Sequence, residues 1–444
     1  MIKVIPHAAT QTSAKLWIGA LSPPTAAKPQ AVVTVDGVVV ELGEWKELSF
    51  RGSRLDYQWV ESPPLTPDAP HTVRAMAPGH GTADARFETL PLTLGTEAAP
   101  LRVLVGSCYY TGNKRSKLAS TLVEQFARFG LTPRLRIWAG DQVYLDAPWH
   151  HYMFHRHDPA ELEARHSDAY ARTFFAEEGL GKVISQGANV FCPDDHELWN
   201  NAPDPSIVAK DSDTPAGRTM WREIGLALLG AFQGDTLTPV TFDVPPLSFF
   251  VLDARVARLP DRADLITDAQ RAALSGWLGG LQGPGVLVIG QPIFDFRTKR
   301  VDNKADYHLA DYAEYTELMR MLATASHSIV VITGDVHFSR VAQVHLPTGR
   351  SITEFISSPL ALVAGTFGLG GWKEAPQRLD IDGPDPFGSS EITTDTTLQV
   401  DDESMMLLEF YKRGMRIFCQ SSVWRIKDLE RGQSCYRNEF EVGR

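Results

Sequence analysis

The sequence predicts an α/β protein in two parts, a small antiparallel β-sandwich followed by a layered α/β domain. Three observations carry this expectation. Up to about residue 92, short β-prone runs are broken at near-regular intervals by Pro, Gly and Asp. Past Pro91-Leu92-Thr93-Leu94-Gly95, strand-length apolar runs alternate with longer stretches of helical periodicity. The chain has 444 residues, more than one core ordinarily organises. Residues 1–95 are therefore expected as the sandwich and 96–444 as the second domain.

In the first part the strand runs are 14–18, 31–35, 38–42, 56–60, 71–75 and 85–88, and they carry few groups with catalytic potential. In the second part 103–106, 136–140, 190–193, 248–252, 286–290 and 329–333 read as buried strands, apolar runs bounded by turn residues. Among the helical stretches, 116–129 spaces Leu118, Leu122, Val123, Phe126 and Phe129 on one face ahead of Gly130. Thr267 and Asp268 stand as caps for 269–281, where Leu274, Trp277, Leu278 and Leu281 share a stripe. A third helix is expected over 305–325. After Gly334 the β-prone runs 341–345, 351–356, 405–410 and 415–420 flank a Gly-, Pro- and Asp-rich stretch, 365–400, expected as a surface loop or flap.

Hydrophobic residues at 43% and charged residues at 22% are those of a globular protein. A formal net charge of -11 argues against nucleic acid as the main partner, so an anionic substrate would need metal cations or local Arg to attract it. No apolar run reaches the roughly 18 residues of a membrane span. The N-terminus has no basic stretch leading into an apolar core, and the four cysteines show no C-x-x-C spacing. A reducing, cytoplasmic compartment is the expectation, with a periplasmic or secreted one if a signal has been removed.

Four apolar runs end in metal-capable side chains: Gly106-Ser107-Cys108, Gly140-Asp141-Gln142-Val143-Tyr144, Asp194-Asp195-His196-Glu197 and Gly334-Asp335-Val336-His337. A carboxylate at a strand end can bridge two cations, and such a pair binds phosphate, activates water and stabilises a departing oxygen. Asp141 is the bridging candidate. Tyr144 lies one turn further on, so both side chains can face one ion. Thiolate and phenolate together suit a trivalent centre, so Cys108 and Tyr144 point to iron. Asp195 and His337 would serve a second, oxygen-rich site suited to calcium, magnesium or manganese.

Each residue also has a plainer reading. Cys108 alone is a small buried hydrophobe, and Tyr144 alone an interfacial ring. Asp194 and Asp195 can cap a helix near Leu198, with Asp195 the one to ligate. Asp335 and His337 alternate along an extended segment and would point the same way. His150, His151, His155 and His157 lack carboxylates that would complete a site, and read as an insertion. Arg255 and Arg258 either bind a substrate phosphate or pair with acids such as Asp253. No G-x-S-x-G elbow supports a serine hydrolase.

On these four segments the chain resembles the alkaline phosphatase D, or PhoD-like, family of the calcineurin-like metallophosphoesterase superfamily. Ordinary members of that superfamily carry D-x-H, G-D-x-x-D, G-N-H-E/D and G-H-x-H, and the substitutions seen here are typical of the PhoD-like branch. Leu252-Asp253-Ala254-Arg255-Val256-Ala257-Arg258 is similar to the family's L-D-x-R-x-x-R, and Ile289-Gly290-Gln291-Pro292 to a further core strand. The resemblance spans nearly the whole chain. It implies an Ig/fibronectin-like sandwich ahead of a four-layer α/β/β/α metallophosphoesterase domain. It also implies Cys108, Asp141, Tyr144 and Asp335 as iron(III) ligands, with Asp141, Asp195 and His337 holding calcium or, failing that, magnesium, manganese or zinc. His196 matches the histidine that meets the leaving oxygen. The implied reaction is hydrolysis of small phosphate monoesters or diesters by a hydroxide bound at the dinuclear centre. The competing expectation is a catalytically silent binding protein that uses its β-sandwich for partner recognition. Two departures stand out: the family's twin-arginine signal is not seen, and Gln291 stands near the place of a divalent-metal histidine.

Overall fold

The computed structural model describes residues 1–50, 52–298, 307–362 and 371–443. Its strands fall into three sheets. The largest has ten strands in the order Tyr436–Gly443, Arg416–Arg425, Ser404–Arg413, Leu101–Gly106, Leu135–Ala139, Ala188–Cys192, Ile2–Ala9, Ala14–Ser22, Ser53–Glu61 and Lys46–Phe50. The second has seven: Val240–Val244, Leu247–Leu252, Gly285–Ile289, Ile329–Thr333, Ser351–Ile356, Arg340–His345 and Ile392–Thr394. Val38–Val40, Val32–Val35, Pro70–Ala77 and Gly81–Glu88 form the third.

Side chains alternate along each central strand, and this sorts the apolar residues into separate cores. Val103, Val105, Ile137 and Val190 of the ten-stranded sheet join Phe249, Val251, Val286, Val288, Val330 and Ile332 of the seven-stranded sheet in one core. The intervening Leu104, Trp138 and Phe191 pack instead with helices Thr121–Arg128, Pro159–Phe174, Gly179–Ile184 and Pro215–Phe232. On the other sheet Phe250, Leu252, Leu287, Ile289 and Val331 pack with helices Asp268–Gly280 and Tyr315–Thr324. Each fully buried aliphatic or aromatic side chain contributes roughly 1.5–3 kcal/mol, so this alternation is the main determinant of the layering.

The first 95 residues are not confined to a sheet of their own. Strand Ile2–Ala9 runs parallel to Ala188–Cys192 with His7 opposite Asn189. The Asn189 amide donates to the carbonyls of Pro6, Ile184 and Gly187 at 2.7–2.8 Å. Trp17 Nε1 donates to Ala231 O at 2.7 Å, tying the next strand to helix Pro215–Phe232. The same strands also pack against the four-stranded sheet through Val4, Leu16, Ile18, Val33, Val73 and Phe87.

Several expectations need adjustment. Region 116–129 is a 3-10 turn, Ser116–Ser120, followed by a helix, Thr121–Arg128. The expected helix 305–325 begins outside the described residues; its described part is a 3-10 turn, Leu309–Asp311, and then helix Tyr315–Thr324. The break has a local cause. Asp311 turns its carboxylate onto the backbone N–H of Thr298 (2.7 Å) and of His308 (2.8 Å), fixing a turn where a helix would have continued. Residues 365–370 of the expected loop lie outside the described residues, and the remainder contains the strand Ile392–Thr394. Helices Pro159–Phe174 and Pro215–Phe232 were not anticipated, although Asp158 and Thr214 cap them and Pro stands at each first position.

His7 and His166 are buried, and burial lowers the pKa of each ring to about 3. In the unfolded chain the ring titrates near 6.5, so below that pH the unfolded state binds the extra protons and stability falls as pH drops. The slope is about 1.4 kcal/mol per pH unit per histidine. Neither ring nitrogen of His166 has a hydrogen-bond partner among the described residues, so His166→Leu loses no bond. Thermal melts at pH 7 and pH 5 should show a smaller acid-induced drop for H166L than for the wild type.

Candidate metal centre

Three parallel strands of the ten-stranded sheet and four of the seven-stranded sheet send their carboxyl ends to the same edge. The first three deliver Cys108, Asp141 and the pair Asp194 and Asp195; the others deliver Arg255, Gln291, Asp335 with His337, and Ser358. Carboxyl ends of strands are where layered α/β proteins gather their chemistry.

The backbone turns sharply at each of these ends. Cys108 (φ 54°), Asp141 (φ 59°), Asp335 (φ 67°) and His337 (φ 58°) all lie in the left-handed region, which costs a non-glycine residue roughly 1–3 kcal/mol when it is strained there. Asp335 and His337 are thus not on an extended segment; two left-handed positions on either side of Val336 bring their side chains to the centre. Gly334 lets that turn pass close to the neighbouring strand, since a Cβ there would sit 2.1 Å from Ala139 O.

Ligand-type atoms converge in three overlapping groups, each with its members within 4.8 Å of one another: Cys108, Asp141 and His337; Asp141, Asp195 and His196; and Asp194, Asp195 and Asp335. Tyr144 OH donates to Asp141 Oδ2 at 3.4 Å, and its ring lies 4.0 Å from that of His196. Cys108 Sγ donates to Asp335 O at 3.3 Å and receives the Ser358 hydroxyl at 3.0 Å. Every residue singled out in the four sequence segments therefore lies in one cluster. Arg255 joins it: its Nε is 3.2 Å from Asp194 Oδ1 and its Nη2 3.4 Å from Asp195 Oδ1. Asp253 does not pair with that guanidinium but accepts the backbone N–H groups of Arg255 and Val256, both at 2.9 Å.

Burial and mutual repulsion shape the titration of this cluster. Burial, then Cys108, pushes the Asp141 carboxyl well above its ordinary range. Asp194 is raised in the same way by burial, against the pull of Arg255. Burial also takes the Cys108 thiol up to about 12. His196 moves the other way: burial opposes its charge, but Asp146, Asp195 and Asp141 outweigh it and hold the ring protonated well above its usual pKa. Asp195 stays below the usual range because Arg255 and His196 overcome its burial.

This is a donor set that fits cations. Thiol, phenol, imidazole and carboxylate groups face one another with too little positive charge among them, and Asp194 Oδ2 is buried without a hydrogen-bond donor among the described residues. A bound cation would reverse the upward shifts of Asp141 and Cys108.

Several supporting residues were not anticipated. Glu197 lies at the centre of the loops: its carboxylate accepts N–H from Asp141 (3.1 Å), Val143 (3.0 Å) and Asp194 (2.9 Å). Its position three residues after Asp194 is the spacing of a capping box, a signal present in the sequence. No helix starts near Leu198; Asp195–Glu197 is a single 3-10 turn. Asp146 holds His196 Nδ1 at 2.8 Å and itself receives Asn200 N at 2.7 Å. Ser358 had no local signal, being 250 positions from Cys108. The histidine-rich stretch stays outside: His157 pairs with Asp211 at 2.9 Å, His151 meets His150 edge to face, and His155 is exposed.

No family model and no curated protein matches the sequence. Among solved structures, that of PhoD aligns over 99% of this chain and 91% of its own, at 16% identity and a TM-score of 0.60. The chain has a PhoD-like fold. GAP50, the anchor in the inner membrane complex of Plasmodium, aligns more remotely, over 77% of this chain and 89% of its own at 14% identity and a TM-score of 0.40. Within the PhoD-like fold of this chain the whole cluster sits where the strand ends of the two larger sheets meet, with Glu197 bracing two of its loops.

Removing that brace tests its weight. Glu197→Ala leaves three buried N–H groups without an acceptor and is expected to lower stability by roughly 3–5 kcal/mol, with Glu197→Gln, which keeps one acceptor oxygen, falling between. Urea unfolding of the three proteins reads the difference.

Proposed function

We propose that this protein is a metal-dependent phosphoesterase hydrolysing small phosphate monoesters or diesters. The observation that carries the proposal is the convergence of Cys108, Asp141, Tyr144, Asp195, His196, Asp335 and His337 at one edge of a PhoD-like fold. In this reading Cys108, Asp141, Tyr144 and Asp335 hold iron(III), and Asp141, Asp195 and His337 hold a second ion, calcium or another divalent cation. The cations, when bound, supply charge for the phosphate oxygens and acidify water.

The chain's own groups have separable tasks. Asp146 accepts from His196 Nδ1–H, which fixes the ring and keeps it protonated, so His196 is suited to hand its Nε2 proton to the departing alkoxide. Arg255 keeps Asp194 and Asp195 in place and adds positive charge beside the substrate phosphate. Tyr144 covers one face of the His196 ring and limits its movement.

The same reading extends to the architecture. The inter-sheet core and the two helix-facing cores support a four-layer α/β/β/α arrangement for residues 96–444, and the facing sheets of residues 1–95 support an Ig/fibronectin-like sandwich fused to it through strand Ile2–Ala9.

Two measurements test the assignment. Protein reconstituted with iron and calcium should hydrolyse p-nitrophenyl phosphate or its bis ester, and chelation or Asp141→Asn should abolish turnover and reduce bound metal. A well-folded protein that binds metal and turns over neither ester would leave the binding-protein alternative. If His196 acts as the acid, activity falls as pH rises through its pKa. Asp146→Asn removes the charge that raises that pKa, so the alkaline limb of kcat/KM should move to lower pH, with kcat reduced about 10²–10⁴-fold.

A further inference from the structure

Arg258, Gln291 and Asp335 form a hydrogen-bonded chain that ends at the candidate centre. Arg258 Nη1 donates to Gln291 Oε1 at 2.7 Å, and Gln291 Nε2 donates to Asp335 Oδ2 at 3.0 Å. Arg258 and Gln291 are each 1% exposed, and Asp335 is 9% exposed, so water competes for none of these bonds. The carrying loops are held together independently, by Gly334 N donating to Gly290 O at 2.9 Å. Arg258 is set in place by Tyr312, whose ring centre lies 4.9 Å from the guanidinium carbon.

The chemistry of the three groups fixes the direction of the chain. A guanidinium has donors only, so the end of the Gln291 amide that faces it must be the carbonyl oxygen. The NH2 end is then committed to Asp335. The amide consequently presents hydrogen to the centre and cannot turn its oxygen toward a cation while Arg258 is present. It also makes the two Asp335 oxygens inequivalent and fixes the plane of the carboxylate, while a neutral spacer keeps the Arg258 charge one residue away.

We infer that Gln291, oriented by Arg258, is a positioning residue that sets the geometry and cation affinity of Asp335. The inference rests on the metal reading proposed above. It assigns Gln291 the role of an outer partner and denies it that of a ligand; outer partners of metal-binding groups typically change affinity 10–100-fold when removed.

Cobalt(II) is the probe, because its visible bands report ligand geometry without any need for turnover. Gln291→Leu and Arg258→Met are expected to raise the Co2+ dissociation constant about 10–100-fold and to shift the visible bands. Arg258→Lys, which keeps a donor toward the Gln291 oxygen, should keep both near the wild-type values. Urea midpoints of the metal-free proteins identify any variant that has lost its fold, and where Q291L has done so Gln291→Asn, which retracts the amide by one methylene, carries the test. Wild-type affinity and spectrum in Q291L overturn the relay alone. So does an R258K protein as impaired as R258M. A wild type that takes up no Co2+ overturns the relay together with the metal reading.

Discussion

Asp141, Asp194, Asp195 and Asp335 are withdrawn from water together with Cys108 where the carboxyl ends of two sheets meet, and their mutual repulsion is the constraint around which their neighbours are arranged. Two like charges 4 Å apart repel by about 4 kcal/mol at the effective dielectric of a protein site, a large fraction of a domain's net stability. The surrounding residues answer that repulsion in different ways. Arg255 pairs with two of the acids, the Gln291 amide donates to a third, and the backbone N–H of His196 lies 3.3 Å from Asp141 Oδ1. What these leave unbalanced is the attraction a cation would meet.

The left-handed turns at Cys108, Asp141, Asp335 and His337 persist because their neighbours over-determine them. Cys108 N and Tyr109 N reach across to Gly140 O and Asp141 O, at 3.2 and 2.8 Å, and His337 N to the Ser358 hydroxyl at 3.1 Å. These bonds tie neighbouring strand ends within each sheet, and Leu360 N donating to Ser107 O at 2.8 Å joins one sheet to the other, so the strain is held by the apolar core beneath. Local disorder in one loop would therefore propagate to the others.

The strands that carry the centre were legible because most of them close on a short apolar run followed by Gly or Pro, as in 103–105, 286–289 and 329–333, and a buried parallel strand reads that way irrespective of partners. The residues that meet there were legible from the four short segments, helped by a resemblance to a known family. What stayed hidden depends on distance along the chain. Ser358 reaches Cys108, and Gln291 reaches Asp335, only because the sheets bring separate strand ends together. Glu197 and the caps of helices Pro159–Phe174 and Pro215–Phe232 differ in kind, since their spacing is local and stands in the sequence. The sharing of one sheet between the first strands and the strand leading to Asp194 left no mark in either segment.

That shared sheet bears on how the nascent chain acquires its form. Strands Ile2–Ala9 and Ala14–Ser22 can pair as soon as both have emerged from the ribosome, yet the other neighbour of the first strand is Ala188–Cys192, whose Asn189 bonds Pro6 across 183 positions. At ordinary translation speeds that neighbour follows roughly 10–35 s later, and during the interval one side of the early hairpin is an open edge. The segment that ends in the candidate centre is thus added to a template that has been waiting for it, and protection of that edge, by a chaperone or by slow collapse, becomes part of making the protein.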